Sequence, residues 1–84
     1  MRQYREILTV LHVEHLKPSM YGNPKQALLL DYHGVYRFKG VTATNAVCGY
    51  YQFKTGEKYR FTYHYTAKGN VIIDYFEEVK NNEN

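Results

Sequence analysis

The sequence predicts one small, mostly β domain: a five-stranded antiparallel barrel in the order β-β-β-α-β-β, with one short helix. Three observations lead there. Apolar and polar side chains alternate with a period of two in residues 35–42 and again in residues 58–66, as they do in strands with one buried face. β-branched and aromatic residues fill these runs, while Gly, Pro and Asn gather between them. With 84 residues the chain suffices for one core and not for two, and its 44% hydrophobic and 17% aromatic content is ample for folding.

Residues 4–16 carry two patterns. Tyr4, Ile7, Leu8, Leu11 and His15 fit a helical stripe, but Ile7, Thr9, Val10 and Val13 are β-branched. Alternation holds in two halves, Leu8 with Val10 and then Leu11 with Val13. The phase slips by one residue at Val10-Leu11, as a β-bulge makes it slip, so the segment is expected to be a long, bent strand. Residues 17–25 hold Pro18, Pro24, Gly22 and Asn23, which remove donors or permit positive φ, and form a loop. The apolar run Ala27-Leu28-Leu29-Leu30 then marks a strand over 26–32. His33-Gly34 is the two-residue link of a hairpin to residues 35–42.

In that third strand Tyr36 and Phe38 are expected inside, with Arg37 and Lys39 on a cationic outer face, and Gly40 marks a bend. Residues 44–53 predict a helix of two to three turns, with Thr44 as its cap and Ala46, Val47, Tyr50 and Tyr51 at helical spacing. Gly49 weakens its middle. Residues 58–66 are the clearest strand, with Tyr59, Phe61, Tyr63 and Tyr65 opposed to Arg60, Thr62 and His64. After a turn at 67–70, residues 71–76 close the sheet, with Val71, Ile73 and Tyr75 opposed to Ile72, Asp74 and Phe76. The domain is expected to span residues 1–77, with a polar, disordered tail at 78–84.

Three strands, a helix and two more strands, the first strand long and bent, resemble the oligonucleotide/oligosaccharide-binding (OB) fold in element order, over the chain up to about Phe76. An SH3-like barrel is the alternative. The OB resemblance implies a binding surface on the outer face of strands two and three, flanked by the loops between strands one and two and between strands four and five. Here those regions hold Arg37 and Lys39, residues 17–25 with Tyr21, and Lys68, and all of them carry positive charge.

Function follows from charge, rings and the lack of catalytic groupings. The chain carries +3 overall. Residues 1–76 hold ten Lys/Arg against five Asp/Glu, so the folded part is more basic than the tail. That balance favours an anionic partner such as nucleic acid. Ten tyrosines and no tryptophan provide rings on which bases stack, although tyrosines alternating along a strand also pack as core. The expected contacts to single-stranded nucleic acid are Tyr21, Lys25, Arg37, Lys39, Arg60 and His64. The rival expectation is a protein-interaction module, an inhibitor or accessory subunit of the size common in phages and mobile elements, binding another protein or its own copy through a tyrosine-rich face.

No enzyme activity, cofactor or metal is expected. His12 and His15 stand three apart, which on a strand turns them to opposite faces. Cys48 sits beside Val47 as a small buried hydrophobe. A single cysteine forbids an internal disulfide, and the N-terminal stretch is neither a signal sequence nor a membrane span, so a cytoplasmic location is expected.

Overall fold

The computed structural model describes residues 2–18, 20–22, 24–38, 40–45 and 48–79. It contains strands β1 (Tyr4–Leu16), β2 (Lys25–Tyr32), β3 (Val35–Tyr36), β4 (Thr42–Thr44), β5 (Lys58–Tyr65) and β6 (Val71–Glu78), with a single 3-10 turn at Cys48–Tyr50.

The strands close into a small five-stranded ring, β1-β5-β6-β4-β2 and back to β1. β3 lies outside the ring count. It pairs with β2 at Asp31↔Tyr36, while β4 pairs with β2 at Ala27↔Ala43. β1 already occupies the other edge of β2 at both Asp31 and Ala27. β3 and β4 are therefore two pieces of the predicted third strand, interrupted between Tyr36 and Thr42. The barrel is not antiparallel throughout, because β4 runs parallel to β6 with Thr42 opposite Val71. A ring with an odd number of strands cannot alternate direction at every junction, so one parallel contact is a geometric necessity.

β1 is the long strand expected, and its register against β2 shifts between Val10 and His12, which makes Leu11 the bulge residue. The bulge bends β1 so that its first half pairs with β5 and its second half with β2. A two-residue turn joins β2 to β3 as predicted, with both His33 (φ 53°) and Gly34 (φ 84°) in the left-handed region that a type I′ turn requires. Leu8, Val10, Leu28, Leu30, Phe61, Tyr63, Val71 and Ile73 fill the barrel. At one end Phe53 meets Tyr51, Tyr59, Phe61 and Phe76, and at the other Tyr63 meets Tyr4, Phe38 and Tyr65.

Further expectations need correction. The helix over 44–53 does not form. Thr44 lies in β4, and Asn45 takes over the capping role, its Oδ1 accepting from Cys48 N at 2.8 Å. Carbonyls that a continuing helix would use for itself are claimed by Gln26, whose Nε2 donates to Cys48 O at 3.1 Å and Tyr51 O at 2.8 Å. Ala46 and Val47 lie outside the described residues. Tyr36 is not inside with Phe38 but 67% exposed, because the strand breaks after it. In β6 a second bulge, between the pairs Thr62↔Tyr75 and Tyr63↔Ile73, turns Tyr75 outward and Phe76 onto the core. The bulge also frees the Asp74 carbonyl, which accepts Asn45 Nδ2 at 2.9 Å. β6 runs on to Glu78, and residues 80–84 of the expected tail lie outside the described residues.

Candidate binding surface

The predicted site residues do not form one cluster. Tyr21, in the loop between β1 and β2, is 85% exposed, and Lys25 is exposed at the start of β2. Tyr36, the neighbour of Arg37, opposes Asp31, six residues along β2 from Lys25, a span of about 20 Å. Lys39 lies outside the described residues. Arg37 makes a two-pronged ion pair with Glu6, Nε to Oε1 at 3.1 Å and Nη2 to Oε2 at 2.9 Å, and its guanidinium lies 5.7 Å from the centre of the Tyr32 ring. Arg60 pairs with Glu77 at 3.3 Å, and His64 Nδ1 lies 2.7 Å from Asp74 Oδ2. Glu6 opposes the buried Phe61, whereas Arg60 opposes Ile7 one residue further along β1. Arg37 and Arg60 are thus anchored on opposite faces of the β1-β5 ribbon, each beside a carboxylate.

The outer face of β2 and β4 presents Ala27, Leu29 and Ala43, with Lys25 at one end of β2 and Asp31 towards the other. The charged concavity is elsewhere, where β1 changes partners. β2 joins β1 only from Thr9 onward, so the first half of β1 has no strand on that side. The gap is a groove of about 610 Å³ between β1 and the β2-β3 hairpin, floored by Ile7 and Thr9, walled by Tyr32 and His33, and lined by two cations, Arg5 and Lys58, and two carboxylates, Glu6 and Asp31. Neither Arg5 nor Lys58 has a carboxylate partner among the described residues, unlike Arg37 and Arg60. Asp31, also on the groove, has a buried Oδ1 without a hydrogen-bond partner. The alternation that places Arg5, Ile7 and Thr9 on one face was visible in the sequence. The gap that exposes them depends on how far β2 runs along β1, which was not.

Cys48 is buried, its Sγ 3.6 Å from the Asp74 carbonyl, and burial first, then the charge of Asp74, pushes its thiol up to about 11. A thiol so held is protonated at neutral pH and is no nucleophile. Among the described residues, no three His, Cys, Asp or Glu side chains are placed to hold a metal ion, and no helix is long and apolar enough to cross a membrane.

Fold and surface together define a small closed five-stranded β barrel with an open groove beside its first strand. No protein-family model matches the chain, no curated protein matches its sequence, and no solved structure matches its fold.

Proposed function

We propose that this chain is a non-catalytic barrel of the OB type that binds single-stranded nucleic acid by charge and ring stacking, along the groove beside the first half of β1. Strand order supports the OB reading, with the two pieces β3 and β4 counted as the third strand and the 3-10 turn standing where the helix was expected. The observation that carries the binding reading is the pairing of cations with rings: Arg5 and Lys58, without an ion pair among the described residues, flank a concavity walled by Tyr32 and His33, and of its two carboxylates Glu6 is already taken up by Arg37. Phosphates would meet the cations and bases the rings, the division of labour that sequence-tolerant single-strand binders use. Of the residues first expected to bind, Arg37 joins this surface through its stack on Tyr32.

The test is fluorescence anisotropy of a labelled single-stranded oligonucleotide of about 12 nucleotides, within the site size of one such barrel. Saturable binding that weakens linearly in log salt and survives competition by duplex supports the reading. No binding at low salt removes it. One observation favours a protein partner or a second copy of the chain instead: the hairpin tip beside the groove exposes Val35 (65%) and Tyr36 (67%), apolar area that a protein interface would cover. A concentration-dependent dimer in light scattering, together with no oligonucleotide binding, would select that reading.

A further inference from the structure

A second cleft opens on the opposite edge of β1, and we propose that it receives one unstacked nucleobase of the bound strand, an inference that rests on the nucleic-acid reading above. Beyond Thr9, β1 leaves β5. Val10 still exchanges backbone hydrogen bonds with Gly56 (2.7 Å) and Glu57 (3.0 Å), after which the edge is open. Between this edge and residues 52–55 lies a cleft of about 500 Å³, lined by His12, His15, Gln26, Gln52, Phe53 and Thr55, with Val13. His12 opposes exposed Leu29 and His15 opposes buried Gln26, so their side chains leave opposite faces of β1. Both reach the cleft because it opens at the strand's edge.

The lining dictates the ligand's chemistry. It contains no Asp, Glu, Lys or Arg, so the part of a ligand held there is uncharged, unlike the phosphates suited to Arg5 and Lys58. The exposed imidazoles of His12 and His15 offer flat faces and Phe53, largely buried in the core, a small apolar contact, while Gln52 and Thr55 offer hydrogen-bonding groups for a polar rim. Gln26 adds a committed acceptor. Its side chain is fully buried and its amide nitrogen donates to the Tyr51 and Cys48 carbonyls, which only accept, so the amide cannot flip. Gln26 Oε1 is left buried without a partner, a state that costs about 1–3 kcal/mol and that a ligand N–H would relieve. A flat group with apolar faces, an uncharged polar rim and an N–H donor is a nucleobase. Pockets that take a base out of its stack read it by stacking and edge hydrogen bonds.

Gln26 also holds the 3-10 turn, so the test places its variants at the exposed Gln52 and Thr55. Amide and imidazole NMR signals of the labelled protein are followed while three ligands are added separately: the single-stranded oligonucleotide, an abasic strand of equal phosphate count, and free nucleosides. Side-chain signals of Gln26, Gln52, His12 and His15 are expected to shift with the base-bearing strand and not with the abasic one. The abasic strand is expected to bind at least tenfold more weakly, because it loses the base in the cleft as well as those on the rings of the groove. Gln52→Ala and Thr55→Ala should weaken the base-bearing strand alone. If the base-bearing strand binds more tightly than the abasic one but the cleft signals stay still, the base pocket is wrong while the groove reading, whose rings also take bases, stands; equal binding of both strands overturns the pocket and the stacking in the groove alike. Shifts with nucleosides but no binding of any strand would keep the pocket and overturn the strand. No response to any of the three overturns both.

Discussion

Cys48 and Tyr63 show how burial decides what a reactive group can do. The Cys48 thiol, pushed up to about 11 mainly by burial, carries almost no thiolate at neutral pH. Alkylation by iodoacetamide should therefore be slow in native buffer and accelerate with denaturant in step with unfolding; a native rate like that of a free thiol would contradict its placement. Tyr63 is fully buried, and burial first, then the charge of Glu6, raises its phenol to about 12, with Arg37 pulling the other way. The phenol ionises near 10 in an unfolded chain. The folded state thus favours the neutral form, and the associated stability is intact below about 10 and lost as the pH climbs towards 12. Its hydroxyl is also buried and makes no hydrogen bond of good geometry, although the Arg37 guanidinium is close enough to act on it. Tyr63→Phe is expected to leave the melting temperature at neutral pH unchanged or slightly raised, within about 1 kcal/mol, and to flatten its fall between about pH 10 and 12. Tyr51, whose phenol is raised by burial first and by Tyr59 and Glu78, leaves some alkaline loss in the variant. A marked loss of stability at neutral pH would show that the Tyr63 hydroxyl is bonded after all.

At the scale of elements, turns and bulges set the register of the barrel. Gly49 sits where an added Cβ would run into the backbone carbonyl of Pro24. Neither backbone segment can yield as a flexible side chain could, so Gly49→Ala should cost roughly 1–3 kcal/mol in denaturant unfolding. The reverse effect is expected at His33, whose positive φ asks for a residue that tolerates the left-handed region. His33→Asn should stabilise the hairpin by about 0.5–1 kcal/mol, and a loss instead would mean that the ring contact with Tyr32, at 4.4 Å, matters more than the turn. What the sequence made legible follows the same division. The bulge of β1 was readable because apolar residues on both sides of Leu11 change phase, and the His33-Gly34 hairpin because its turn chemistry is local. The β6 bulge left no such trace, since Ile72, Ile73, Tyr75 and Phe76 are apolar on either phase. The helix over 44–53 was misread because what decides that segment is distant: the parallel pairing of β4 with β6 and the Gln26 side chain.

For the whole molecule the question is which charges an anionic partner would meet. Composition showed an excess of cations and could not say which of them were already matched. Arg37 and Arg60, prominent on the alternating strands, are matched by Glu6 and Glu77, whereas Arg5 and Lys58, which the strand pattern does not single out, have no carboxylate partner among the described residues and flank the groove. Each phosphate that a cation neutralises on a single strand contributes about −0.7 to the slope of log affinity against log salt. The double variant Arg5→Gln/Lys58→Gln is therefore expected to bind more weakly at low salt and to flatten that slope by roughly 1.4. A charge-balanced control, Arg60→Gln/Glu77→Gln, removes a cation together with its carboxylate and should leave the slope unchanged, because no phosphate has to displace an existing partner there. Both variants change exposed side chains and should melt close to the parent chain. If the control flattens the slope and the Arg5/Lys58 pair does not, the nucleic acid lies across the outer face of β5 and β6, and the groove beside β1 is not its seat.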